Sequence, residues 1–203
     1  MKEVYAVLSR THTGVGKLIR FFTHYELNHS ALALDSSLMR LYSFGRKANR
    51  PALAGGFIIE TPGRYCPGDF DPKIKVFRFR VSDKHYEEIR ARLQEMEAEK
   101  DEYLYNTYGA FLSGFGIWFK VEKAYSCIEF VTHMLGFKKP MSIRRFDKTF
   151  SHLAVYEGSY REYVKGELDN VDDFFRKKKR RERAREVRLH FKTLHARIFK
   201  RQK

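Results

Sequence analysis

Cys127 and His29 are the two residues of this sequence whose types and surroundings could together perform nucleophilic chemistry. Cys127 lies in a segment whose pattern predicts a helix beginning near Ser126, so the cysteine would occupy the first turn. There the unpaired backbone N–H groups and the positive end of the helix dipole favour the thiolate over the thiol. A neighbouring imidazole would lower the thiol pKa further and later protonate a leaving group. His29 opens an apolar strand directly after a polar loop, where an imidazole can face a cleft.

Residue types alone leave a structural interpretation of both residues open. A lone cysteine is more often a small buried hydrophobe than a nucleophile, and a lone histidine before an apolar run is more often a strand-edge residue. The separation in sequence is no objection, because such a pair needs only to meet in the fold. The second cysteine, Cys66, lies in a Pro- and Gly-rich loop and is expected to be incidental. Neither cysteine has a Cys-x-x-Cys partner, which argues against a zinc site.

Two short segments resemble the motifs of NlpC-like cysteine peptidases. The segment YSCIEFV, residues 125–131, resembles the nucleophile motif, in which Tyr, a small or acidic residue and Cys start a helix. The segment NHSALALD, residues 28–35, resembles the histidine strand, a His followed by small and aliphatic residues. Here the His precedes the Cys, the reverse of the ordinary order. This resembles the permuted branch, the YiiX-like bacterial proteins and lecithin:retinol acyltransferase, over roughly residues 3–160.

The resemblance implies an α+β, circularly permuted papain-like domain in which Cys127 is the nucleophile and His29 the general base and acid. The backbone N–H of Cys127 would contribute to an oxyanion hole, because a helix N-terminus aims donors at the developing charge. Tyr125 matches the family's Tyr two positions before the nucleophile and would line the substrate side of the cleft. A packed aromatic side chain is the alternative interpretation of Tyr125. No cofactor and no metal are implied.

The third catalytic residue is where this sequence departs from the family pattern. The family usually places His, Asn, Gln or Glu on the strand after the histidine strand, and here that register falls on residues 41–43. Ser43 could hold the imidazole through a hydrogen bond, and so could Glu60 on the following strand. A poor orienting group usually lowers the rate without abolishing the chemistry. A non-catalytic member of the fold therefore stays an alternative.

The elements that must position these residues follow an α+β pattern. Alternating or continuous apolar residues predict strands over 3–9, 29–34, 38–44, 57–60, 73–81 and 154–158. Helices are predicted over 14–23, from Ser82 or Asp83 to about residue 100, and over 126–135 with Gly136 as the C-cap. One slip in the alternation of 73–81 is typical of a bulge. We therefore predict a mostly antiparallel sheet with helices packed beside it, and we leave residues 103–119 unassigned.

The positive charge of the chain is concentrated at its C-terminal end. Residues 174–203 hold fourteen Lys or Arg and two Glu, which is +12 of the net +15 and leaves +3 for residues 1–173. We therefore predict a papain-like domain over residues 1–173 and a basic helical tail over residues 174–203. Four apolar tail residues recur at helical spacing, so one stripe is apolar and the rest cationic. They are Val187, Phe191, Leu194 and Ile198.

The amphipathic pattern of the tail suits several partners. They are the protein's own domain or a second copy, an anionic membrane surface or other polyanion through residues 176–203, and a nucleic acid. The tail has little aromatic interleaving and no known nucleic-acid motif, which makes nucleic acid the least favoured. The residues after Met1 do not form the apolar run that a signal peptide contains, and the sequence has no apolar run long enough to span a membrane. We therefore expect a cytoplasmic protein, with the tail able to associate with a membrane surface.

Together, the residues and the resemblance predict a cysteine-dependent hydrolase. It would cleave an amide or ester of a peptide, a cell-wall fragment or a lipid through an acyl-enzyme on Cys127. An acyltransferase of the same fold is one alternative, in which an amine or alcohol accepts the acyl group instead of water. A non-catalytic binding protein, held by its basic tail to an anionic surface or nucleic acid, is the other.

Overall fold

A computed structural model of the chain describes residues 1–11, 25–48, 54–113, 117–139, 141–165 and 179–200. Six strands form one sheet: β1 (Lys2–Ser9), β2 (His29–Ala33), β3 (Leu41–Arg46), β4 (Gly55–Glu60), β5 (Lys73–Val81) and β8 (Ala154–Ser159). Their order across the sheet is β4-β3-β2-β1-β5-β8, and every neighbouring pair is antiparallel. Two short strands, β6 (Leu104–Tyr105) and β7 (Ala124–Tyr125), form a separate parallel pair.

Helices lie on both faces of the sheet and at its end. The described helices are α1 (Pro62–Tyr65), α2 (Asp83–Ala98), α3 (Thr107–Leu112), α4 (Cys127–Met134), α5 (Ile143–Phe150), α6 (Tyr160–Tyr163) and α7 (Arg180–Lys200). A 3-10 turn, Ser151–Leu153, joins α5 to β8. The predicted α+β architecture with a mostly antiparallel sheet is confirmed. The helix predicted over 14–23 and the boundary predicted between residues 173 and 174 lie outside the described residues.

The central strand β1 is buried on both faces. Because successive side chains of a strand point to opposite faces, Val4, Ala6 and Leu8 belong to one hydrophobic cluster and Tyr5 and Val7 to another. The first cluster is covered by α2, α4 and α5, and the second by the region of α1 and α6. A strand covered on both faces is expected to be continuously apolar, as this one is.

The slip predicted within residues 73–81 coincides with an irregularity of pairing. β5 pairs with β1 in an unbroken register, whereas its pairing with β8 shifts between Val76 and Phe77. Both side chains are fully buried. Val76 and Phe77 belong to the two hydrophobic clusters on opposite faces of the sheet, so ordinary strand alternation buries both, and the apolar pattern changes face between them.

Helix ends follow the capping residues that the sequence offers. The side chain of Ser82 accepts a hydrogen bond from the backbone N–H of His85, so α2 begins where a cap was predicted. After α4, Gly136 adopts φ of +82°, a left-handed conformation that a residue with a side chain rarely takes. These local signals confirm the predicted start of α2 and the predicted stop of α4.

The apolar stripe of the tail helix α7 packs on the body of the protein. Leu194 is fully buried against Val121 and Ala124, and Ile198 lies at the edge of the same cluster. The guanidinium of Arg197 donates to the backbone carbonyls of residues 102, 122 and 123 at 3.0 to 3.3 Å. Within the described residues, no helix has the length and apolar character needed to cross a membrane.

Candidate active site

Three neighbouring strands bring His29, Ser43 and Glu60 to one face of the sheet. His29 begins β2, Ser43 lies within β3 and Glu60 ends β4. Leu32 pairs with Tyr42 and Ser43 pairs with Ile58, so the alternation of strand side chains puts the three polar residues on a common face. All three are buried, with Ser43 fully inaccessible.

The imidazole of His29 is held mainly by Glu60. Its Nε2 lies 2.8 Å from Oε2 of Glu60 and 3.4 Å from Oγ of Ser43. The Ser43 hydroxyl donates instead to the backbone carbonyl of Ser30 at 2.6 Å. Of the two orienting groups that the sequence offered, the hydrogen-bond geometry favours Glu60, because its carboxylate is both closer and charged.

A glycine of β3 lies beside the imidazole. A Cβ atom at Gly45 would lie 2.8 Å from Cδ1 of Ile58 and 3.6 Å from Cε1 of His29. A side chain at that position would therefore displace the end of the Ile58 side chain and would be in ordinary van der Waals contact with the imidazole. On the far side, the ring of Tyr65 lies 6.3 Å from the imidazole, and its hydroxyl donates to Oγ of Ser9 at 2.7 Å.

Cys127 is the first residue of α4, as the sequence predicts. The side chain of Ser126 accepts from the backbone N–H of Glu129, and the Glu129 carboxylate accepts from the Ser126 N–H at 2.7 Å. This capping box anchors the first turn of the helix and leaves the thiol in the positive field of its N-terminus. Helix α4 packs on β2 and β3 and brings Cys127 close enough to His29 for each group to shift the pKa of the other.

The three groups form an alternating series of charges. Burial alone would lower the pKa of His29, but the Glu60 carboxylate and Cys127 outweigh it and raise that pKa to about 10. Burial alone would raise the pKa of Cys127, but the hydrogen bond and charge of His29 lower it below the usual thiol value. Burial alone would also raise the pKa of Glu60, but the positive charge and hydrogen bond of His29, together with the charges of Arg64 and Arg46, lower it below its usual value. Relative to the isolated groups, the arrangement favours carboxylate, imidazolium and thiolate together.

Two further residues affect the electrostatics of the thiol. The backbone N–H of Ser30 contributes to lowering the pKa of Cys127. Burial, followed by the charge of Cys127, raises the pKa of the Tyr105 hydroxyl well above the usual value, so Tyr105 keeps its proton at neutral pH. The sequence carried no signal for Tyr105, because a two-residue strand within residues 103–119 is too short to show a pattern.

The second cysteine has the opposite electrostatic environment. Cys66 is 3% exposed and Cys127 5% exposed, so the two thiols are almost equally buried. Burial, followed by the charge of Asp71, raises the pKa of Cys66 to about 11. Charge and hydrogen bonding, and not exposure, therefore distinguish the two cysteines.

Tyr125 packs against other aromatic rings. Its ring centroid lies 5.2 Å from that of Phe44 and 5.5 Å, nearly parallel, from that of His133. Tyr125 also lines a cavity of about 990 Å³ whose walls do not include Cys127. This environment agrees with the packed-aromatic interpretation, and the substrate-binding role stays a prediction.

Among the described residues, no group of three or more His, Cys, Asp or Glu side chains is arranged to hold a metal ion. The candidate site contains a thiol, an imidazole and a carboxylate, those of Cys127, His29 and Glu60. Neither a protein-family model, nor a curated protein, nor a solved structure matches the chain significantly.

Proposed function

We propose that the chain is a cysteine-dependent hydrolase, with a circularly permuted papain-like domain, that cleaves an amide or ester through an acyl-enzyme on Cys127. The observation that carries the proposal is the buried series of Cys127, His29 and Glu60, with the thiol at a helix N-terminus. A nucleophile, a base in contact with it and a third group orienting the base are what this chemistry requires.

The first half-reaction uses the charge state that the site favours. The Cys127 thiolate attacks the carbonyl carbon of the substrate, a C–S bond forms, and the carbonyl electrons move to the oxygen. The backbone N–H of Cys127 at the helix N-terminus can donate to that oxygen. The His29 imidazolium then gives its proton to the leaving nitrogen or oxygen as the scissile bond breaks. The products of this step are the released amine or alcohol, a thioester on Cys127 and a neutral imidazole.

The second half-reaction restores the starting state. Neutral His29 takes a proton from water while the water oxygen attacks the thioester carbonyl. Collapse of the tetrahedral intermediate breaks the C–S bond, expels the thiolate and releases a carboxylic acid. Glu60 holds the ring throughout and stabilises its protonated form. The resemblance extends the proposal to peptide, cell-wall or lipid substrates, and an amine or alcohol in place of water would make the same cycle an acyl transfer.

The two buried cysteines provide an internal test of the proposal. We expect iodoacetamide at pH 7, followed by peptide mapping, to modify Cys127 at least ten times faster than Cys66, because the thiolate fraction differs and the exposure does not. Thiolate absorbance near 240 nm in a Cys66→Ala background measures the same difference without needing reagent access. On lowering the pH, this absorbance should persist to below the usual thiol pKa before it is lost.

Removing the imidazole should undo this activation. In His29→Ala the burial of Cys127 is no longer offset by a cation, so its pKa should rise and its labelling at pH 7 should slow at least tenfold. Cys127→Ala gives the background for both signals. The proposal fails if Cys127 titrates like a free thiol and His29→Ala changes nothing, an outcome that would favour a non-catalytic binding protein.

A further inference from the structure

A large cavity lies on the face of α4 opposite to Cys127. Of the helix residues that line it, Glu129, Thr132 and His133 lie roughly half a turn around the axis from Cys127. Cys127 does not line it, and the residues that lower the pKa of Cys127, His29 and Ser30, belong to β2. The helix therefore separates the cavity from the candidate active site.

The walls of this cavity are mostly apolar. Trp118, Phe119, Val121, Ala124 and Phe137 supply side chains that prefer an apolar ligand. The volume, about 990 Å³, is at the upper end of the range usual for small-molecule sites. An organic ligand with a sizeable apolar body would fit such a space.

The rim of the cavity is predominantly cationic. Lys120 and Lys138 are exposed at its mouth, and Arg197 of α7 joins them, against the single exposed carboxylate of Glu122. The other lining carboxylate, Glu129, is turned to the helix N-terminus, where it accepts from the Ser126 backbone N–H at 2.7 Å.

The floor of the cavity experiences the same positive potential. The His133 ring forms part of the lining and stacks on Tyr125. Burial, followed by the positive charges of Arg92 and Lys120, lowers the pKa of His133. The ring is therefore neutral at pH 7 and can donate a hydrogen bond to an anion without adding a charge to the floor.

We propose that this cavity is a binding site, separate from the cysteine site, for an amphipathic organic anion whose apolar body lies against Trp118 and Phe137 and whose charged group meets Lys120 and Lys138. The inference does not rest on the proposed hydrolase activity. Apolar walls provide the affinity, and a cationic rim selects the sign of the head group.

The cavity contains its own reporter, because Trp118 is the only tryptophan of the chain. We expect decanoate, below its micellar concentration, to change the fluorescence of Trp118 in a saturable way. Decan-1-ol and decyltrimethylammonium have the same chain with a neutral or positive head, and should bind at least ten times more weakly. Equal binding of all three, or no saturable change with decanoate, would overturn the proposal.

Matched lysine variants test the rim. The double variant Lys120→Gln, Lys138→Gln should weaken decanoate binding at least fivefold, as loss of two partly screened attractions predicts. The control is Lys139→Gln with Lys148→Gln, which removes two lysines that do not line the cavity. An equal loss in the control, or no loss in the rim variant, contradicts the assignment. Binding should persist in Cys127→Ala, whereas its loss there would place the ligand in the cysteine site instead.

Discussion

The imidazole of His29 has two polar neighbours, the Glu60 carboxylate and the Ser43 hydroxyl, and they differ in their effect on the pKa of the imidazole. Glu60 carries a charge at 2.8 Å, whereas Ser43 is neutral, lies at 3.4 Å and directs its hydroxyl to a backbone carbonyl. A carboxylate stabilises the imidazolium and so increases the thiolate fraction of Cys127. A serine in that position only restricts the orientation of the ring.

Glu60→Gln and Ser43→Ala should therefore have different pH profiles. In Glu60→Gln the carboxylate that raises the pKa of His29 is gone, so that pKa falls and the Cys127 thiolate forms only at higher pH. We expect alkylation of Cys127 at pH 7 to slow at least tenfold, the equivalent of about one pKa unit. Ser43→Ala should change the rate no more than about threefold. Equal effects of the two variants would return Ser43 to the role of orienting group.

At the scale of elements, the start of α4 holds both the helix cap and the Cys127 thiol. Ser126 is almost fully buried, and its hydroxyl and the Glu129 carboxylate satisfy two backbone donors of the first turn. The same turn supplies the N–H groups that stabilise the thiolate. A change of the cap should then be seen both in folding and in the titration of Cys127.

Ser126→Ala and Ser142→Ala make a matched pair for this prediction, because both serines cap an eight-residue helix. Each loss should lower the free energy of unfolding by about 1 kcal/mol in denaturant titrations. Only Ser126→Ala should also raise the pKa of Cys127, measured by thiolate absorbance. A pKa shift of the same size in Ser142→Ala would show that general destabilisation is responsible.

At the scale of the whole molecule, the basic tail is part of the folded body and not a separate arm in the region described. Leu194 is fully buried against Val121 and Ala124, and Arg197 ties α7 to three backbone carbonyls. Several cationic side chains of α7, among them Arg181, Arg185 and Arg188, remain exposed. Any polyanion bound by the tail would therefore meet this charged face, while the apolar stripe stays on the protein.

Leu194→Ala should accordingly destabilise the fold. Loss of a fully buried leucine costs about 2–5 kcal/mol, measurable as a lower free energy of unfolding in denaturant. Leu189→Ala is the control, because Leu189 lies on the same helix but is 60% exposed, so its loss should change stability by no more than about 0.5 kcal/mol. If both variants have the same free energy of unfolding as the unmodified protein, Leu194 does not pack on the body of the protein as described.

The local elements were predictable because their signals act over a few residues. Alternation of apolar side chains identified the strands, Ser82 and Ser126 marked helix starts, and the sequence placed Cys127 in the first turn of α4 before any fold was considered. The spacing of Leu194 and its apolar neighbours likewise predicted one apolar stripe on the tail, and the structure shows that this stripe packs on the body of the protein. The strands β6 and β7 were not predicted, because a strand of two residues is too short to show an alternation of apolar and polar side chains.

What the sequence determined by itself was the set of groups that we propose for thiol chemistry and most of the elements that carry them. Only the tertiary structure decided that Glu60, and not Ser43, lies closest to His29, because that choice depends on the register of three strands. Tertiary structure also brought Tyr105 within the electrostatic influence of Cys127, gave two almost equally buried cysteines opposite pKa shifts, and formed a cavity beside α4. The burial of a side chain and the charges around it depend on neighbours that are distant in sequence, so a local pattern of residues does not predict them.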